Sequence, residues 1–141
     1  LYFSYAVPEE FSIVGFLTYT VDDVASPGNR VSTDDIVVFD DRVIIKINNT
    51  RISSFVDTNS MDPVLDAGSI GIEIAPEKDS LQPGDVIAYY TPNGTVIHRI
   101  LEIETNASGT FYTTKGDNSP IPDPDPVKFE QIEAVLVGIL Y

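Results

Sequence analysis

Four side chains between residues 60 and 123 have the types needed for acyl-transfer chemistry. Ser60 lies in "TNSMDP", directly after the β-rich run "RISSFV". His98, the one histidine, lies in "TVIHRI", and Asp117 and Asp123 share "TKGDNSPIPD". A serine hydroxyl is a weak nucleophile near neutral pH and needs a neighbouring base. A neutral imidazole can take its proton and pass it to the leaving amine. A carboxylate on the other ring nitrogen fixes the tautomer and stabilises the imidazolium. The chain order Ser, His, Asp neither supports nor opposes this reading, because unrelated folds use different orders. Taken singly, each residue has a simpler explanation. Ser60 can bond locally, His98 can pack among its apolar neighbours, and Asp117 can cap a turn after Gly116.

The elements that must hold these groups read as β. "IVVFDDRVIIKI" is two β-branched runs around Asp40-Asp41, which predicts a hairpin. "RISSFV" reads as a strand, and "SIGIEIA" alternates as a half-buried strand does. In "GDVIAYYTPNGTVIHRILEIE", Asn93-Gly94 fits the centre of a type I′ turn. That register sets Pro92 against Thr95 and Tyr89 against His98, with Val96, His98 and Ile100 on one face. "TFYTTK" and "IEAVLVGILY" supply two more strands. No run of a dozen residues carries a helical stripe. The expected fold is therefore mostly β, antiparallel, with at most short helical turns.

The chain has 141 residues, of which 43% are hydrophobic, enough for one domain with a real core. Eight basic residues against 22 acidic ones give a net charge of −14, which repels phosphate backbones and excludes nucleic acid as a natural partner. There is no cysteine, so disulfide and thiol chemistry are excluded, and one histidine without a thiol disfavours zinc. No cofactor is implied. Three sequons, at Asn48, Asn93 and Asn106, permit glycosylation outside the cytoplasm, although chance also supplies such triplets. The apolar stretch "FSIVGFLTY" is too short and too polar to span a bilayer. The chain starts at Leu1 rather than Met, as expected of a fragment or a processed product.

The stretches "TNSMDPVLD", "LQPGDVIAYY", "VIHRI" and "TKGDNSPIPD" resemble, in order and spacing, the boxes of type I signal peptidases. The likeness is closest to the archaeal and endoplasmic-reticulum subclass, which has histidine where the bacterial subclass has lysine. It covers about residues 50–141. It implies a signal-peptidase-like β-fold and a serine endopeptidase that removes signal peptides from preproteins after a small residue. It implies Ser60 as nucleophile, His98 as general base, Asp123 as the third catalytic residue and Asp117 as its support. The Thr58 hydroxyl and the Ser60 backbone N–H would bind the oxyanion. Val56, Met61 and Leu65 would line the pocket for the small residue, and Ile52 to Val56 would offer an exposed edge for the substrate strand. The resemblance also implies a membrane anchor absent from this chain, with the catalytic part outside the cytoplasm. Asn59 departs from the usual glycine, and Ser119 from the usual second asparagine. Residues 1–50 are expected to be an extension carrying the hairpin and packed on the catalytic part, residues 51–141. The competing reading is a non-catalytic extracellular binding or structural module that keeps the fold.

Overall fold

The computed structural model describes residues 24–141. The apolar stretch "FSIVGFLTY" lies outside the described residues. Among the described residues nine strands follow one another: β1 (Ile36–Val38), β2 (Val43–Ile45), β3 (Thr50–Ser54), β4 (Ile70–Ile74), β5 (Val86–Thr91), β6 (Gly94–Asn106), β7 (Gly109–Lys115), β8 (Val127–Lys128) and β9 (Ile132–Leu140). Helical structure among the described residues is confined to single 3-10 turns such as Lys78–Ser80 and Phe129–Gln131. The expected β-rich, antiparallel fold is what forms, and no described helix is long and apolar enough to cross a membrane.

β1 and β2 pair as the expected hairpin, closed at Asp40-Asp41 by a hydrogen bond from Phe39 N–H to Arg42 O. They form a sheet of their own. The other seven strands form one antiparallel sheet in the order β3-β4-β9-β5-β6-β7-β8. Period-2 alternation sends neighbouring side chains to opposite faces. Ile87 and Val135 enter one apolar cluster with Tyr89, Ile100 and Tyr112. Val86 and Leu136 enter the other with Met61 and Leu65. Each fully buried side chain of this size contributes about 1.5–3 kcal/mol.

The β5–β6 register differs from the expected one by two residues. The loop is Pro92-Asn93, Thr91 pairs with Gly94, and His98 faces Ile87 while Tyr89 faces Val96. Proline supplies the reason. Its fixed φ suits the first central position of an ordinary turn, and the positive φ falls on Gly94 (121°) and not on Asn93. The Thr91 hydroxyl seals the turn, accepting from Asn93 N–H at 3.2 Å and donating to Gly94 O at 2.8 Å.

The segment before β1 is tied to the loop before β5 by a buried ion pair. Asp85, fully buried, accepts from Arg30, from Gly28 N–H at 2.8 Å and from Gln82 N–H at 3.0 Å. Arg30 also donates to the Ser80 hydroxyl and carbonyl, each at 2.9 Å. Asp85→Asn keeps the shape but leaves the guanidinium uncompensated. It is expected to cost about 2–4 kcal/mol, read as a lower midpoint in urea with an unchanged slope.

Candidate active site

Ser60 sits in the turn that follows β3. Residues Met61 to Leu65 coil tightly there, with Leu65 N–H donating to Met61 O at 3.0 Å. Burial of Met61 and Leu65 pins this turn to the sheet. Asn59 takes a left-handed φ of 56° just before the nucleophile candidate. Glycine, which the resemblance leads one to expect here, takes this conformation without cost, and asparagine is among the few other residues that adopt it readily. The Asn59 departure therefore leaves the turn intact. With its amide nitrogen facing them, Asn59 reaches the carboxylates of Asp57 at 3.3 Å and Asp62 at 3.2 Å.

His98 projects from β6. Its Nδ1 is 2.7 Å from Asp123 Oδ2. The same oxygen accepts from Thr114 Oγ1 at 2.6 Å and from Tyr89 OH at 3.0 Å. Asp123 belongs to the loop after β7, and its own N–H donates to Thr114 O at 2.8 Å. Burial would raise the Asp123 pKa. The Thr114 hydroxyl and then His98 outweigh it and hold the carboxyl below its ordinary range. Burial pushes the Tyr89 phenol up to about 12, so Tyr89 stays a neutral donor. With Asp123 ionised, an Nδ1–H on His98 has an acceptor, which leaves Nε2 with a free lone pair.

Nε2 lies against Gly116, and so does the carbonyl of Ser60. A Cβ placed on Gly116 would lie 3.0 Å from His98 Nε2 and 2.5 Å from Ser60 O. Only a residue without a side chain lets these three meet. Ser60 Oγ itself faces Thr58 Oγ1 at 3.2 Å, and no hydrogen bond joins it to His98. Gly116→Ala must push the Ser60 backbone away from the ring. It is expected to lower turnover by about 10²-fold, with a far smaller change in substrate binding, as a kcat against KM comparison would show.

Asp117 makes no hydrogen bond to His98. Its carboxylate clasps Arg99, the next residue on β6, through Nε at 2.7 Å and Nη2 at 2.6 Å. That bond, before any other influence, raises the Arg99 pKa. Asp117 thus pins the Gly116–Ser119 turn to the strand carrying His98 and does not cap the turn itself. The other side of that turn holds Ser60, because Asn118 donates from its N–H to Ser60 O at 3.0 Å and from Nδ2 to Asn59 O at 2.9 Å. One turn therefore grips both the serine and the histidine strand. Ser119 bonds Ile121 O at 2.8 Å within the loop.

A cavity of about 360 Å³ opens beside this cluster. Its lining includes Thr58, Ser60 and His98, the apolar Phe55, Val56, Ala88 and Ile97, and the charged Arg51 and Glu73. Val56 is at the lining, 78% exposed, but Met61 and Leu65 are not. Both lie in the core beneath, each 3% exposed. The helical spacing of residues 61 and 65 turns them toward the sheet, and Ala88 and Ile97 of β5 and β6 take their place at the wall. Among the described residues β3 pairs on one side alone, with β4, and its other edge has no strand beside it. Ile52, on that strand, is 67% exposed.

Tyr89, Thr114 and Asn118 were not singled out by sequence reasoning. Tyr89 reads as core within an apolar run, and Thr114 as an ordinary strand residue. Their convergence on Asp123 comes from pairing between β5, β6 and β7.

No family model and no solved structure matches this chain. Among curated proteins it is 37% identical over 84 residues to signal peptidase I W of Bacillus subtilis (strain 168). The match takes in 57% of this chain and 44% of that protein, so the chain spans less than half the length of the relative. The serine, the histidine–aspartate pair and the open cavity thus occur in a chain that is similar, over part of its length, to a type I signal peptidase.

Proposed function

We propose that this chain is the extracytoplasmic catalytic part of a membrane-anchored serine endopeptidase that cleaves signal peptides from preproteins. The observation that carries the reading is the 2.7 Å His98–Asp123 pair, with His98 Nε2 and the Ser60 carbonyl both close against Gly116 and Ser60 and His98 lining one cavity. The similarity to a signal peptidase I supports the substrate class.

In this mechanism the Ser60 hydroxyl turns from Thr58 toward His98 Nε2 and gives up its proton as Oγ attacks the scissile carbonyl carbon. The imidazolium that forms is held by Asp123. The Ser60 N–H and the Thr58 hydroxyl receive the developing oxyanion, each such donor contributing about 3–4 kcal/mol of transition-state stabilisation. His98 then protonates the leaving amine, and water, deprotonated by the same ring, releases the acyl group. The substrate adds as an extended strand along the open edge of β3, so backbone hydrogen bonds supply affinity and the cavity supplies the choice of small side chain. A histidine at position 98 supports a reading within the archaeal and endoplasmic-reticulum subclass, which uses histidine where the bacterial one uses lysine.

The test is the full-length protein incubated in detergent with a labelled preprotein, beside its Ser60→Ala variant. Release of the mature protein by the first and not the second supports the reading. No processing by either would favour the non-catalytic module.

A further inference from the structure

Three asparagines have no part in the proposed reaction, and the fold treats them alike. The described residues include seven asparagines, and three have Ser or Thr two places on: Asn48 with Thr50, Asn93 with Thr95, and Asn106 with Ser108. Those three stand in exposed reverse turns. Asn48 lies between β2 and β3, Asn93 between β5 and β6, and Asn106 where β6 turns into β7. The middle residue of two of the sequons is in the left-handed region, Asn49 at φ 54° and Gly94 at φ 121°. The chain therefore reverses direction at the sequon and holds the asparagine on the outside of the bend.

The asparagines beside the catalytic cluster behave differently. Asn59 and Asn118 are bonded into the Ser60 turn, and neither is followed by a hydroxyl residue at the required position. Among the described residues, the three sequon asparagines make no hydrogen bond through Nδ2. Asn106 uses only Oδ1, which accepts from Ser108 N–H at 2.7 Å. Each Nδ2 is thus exposed and unengaged.

We propose that Asn48, Asn93 and Asn106 are acceptors for N-linked glycans. The donor class is a lipid-linked oligosaccharide. In the transfer, the asparagine Nδ2 bonds to the anomeric carbon of the first sugar and loses one proton. The bond from that carbon to the lipid phosphate oxygen breaks, and the lipid phosphate leaves with the electron pair. Exposed sequons of this kind are the acceptors that a transferase on the outer face reads. The inference rests on the extracytoplasmic placement in the proposed function, because the donor and the transferase act on that side. Asn93 stands two residues before Thr95, which lines the cavity, so a glycan there borders the approach to the cleft.

The test uses the full-length protein produced in an N-glycosylating host and recovered from the extracytoplasmic face, read by intact mass and by mobility on gels. Three discrete additions are expected, each lost in turn in Asn48→Gln, Asn93→Gln and Asn106→Gln. Glycosidase treatment should convert each modified asparagine to aspartate. Thr95→Ser should keep the Asn93 addition and Thr95→Ala should lose it, which separates sequon reading from a general effect on the turn. Protein with the unmodified mass overturns the inference, as does protein retained wholly in the cytoplasm. Preprotein cleavage is measured on the same samples after deglycosylation. Cleavage by protein that never carried glycan leaves the peptidase reading standing while this inference falls, and glycan on an inactive protein does the reverse.

Discussion

Ser60→Ala is expected to lower preprotein turnover by about 10⁴-fold or more while leaving the melting temperature nearly unchanged. The hydroxyl is the only atom removed. Its one side-chain partner among the described residues is Thr58, which is exposed, so little of the described structure depends on it. The fold around it rests on other bonds, chiefly those of Asn118 to the Asn59–Ser60 backbone and the burial of Met61 and Leu65. The paired measurement of cleavage rate and thermal melting makes the outcome decisive. A variant that still processes preprotein at a comparable rate would mean that Ser60 is not the nucleophile.

Asp123→Asn should remove most activity, about 10⁴-fold in kcat, at little cost in shape. An amide in place of the carboxylate can no longer stabilise the imidazolium, and it offers a donor where His98 Nδ1 needs an acceptor. Asp117→Asn should behave otherwise. It loosens a two-pronged ion pair, each side chain of which is less than a fifth exposed, and is expected to cost about 2 kcal/mol of stability together with part of the activity. An active Asp123→Asn beside a stable but inactive Asp117→Asn would reverse the two assignments.

The same residue gives a pH signature. The Asp123 carboxyl is held below its ordinary range in the folded protein, so its ionised form stabilises the fold. That contribution is present above the ordinary carboxylate value of about 3.9 and is lost as pH falls through the lower, folded value. Melting curves of the wild type should therefore fall more steeply below about pH 4 than those of Asp123→Asn.

The β content was legible because β-branched runs and turn residues are local signals. The hairpin at Asp40-Asp41 and the strands around Ile52, Ile72 and Tyr112 all follow from them. The β5–β6 register was not, because Pro92 and Asn93 compete for the same turn and the difference between them is a matter of one backbone dihedral. Sequence also gave no hint that β9 inserts between β4 and β5, since that pairing joins segments about sixty residues apart on one side and forty on the other. The residues of the site were visible as types in four short boxes. Their supports were not. Asp117 read as a turn cap and proved to clasp Arg99, while Tyr89 and Thr114 are unremarkable in sequence and meet only when three strands lie side by side.

The position of β9 has a consequence for how the protein is made. The serine follows β3 and the histidine is on β6, and the β3–β4 and β5–β6–β7 units join in the sheet through β9 alone. Residues 132–140 leave the ribosome after all the strands they connect. Until they insert, Ser60 and His98 belong to two units that no sheet pairing joins, linked only through contacts such as those of Asn118 to the Asn59–Ser60 backbone. Closing the sheet through such a distant segment is also slow. Completion of the Ser60–His98–Asp123 cluster is thereby timed to the end of synthesis of the sheet, and on the proposed function a half-built chain has no working site.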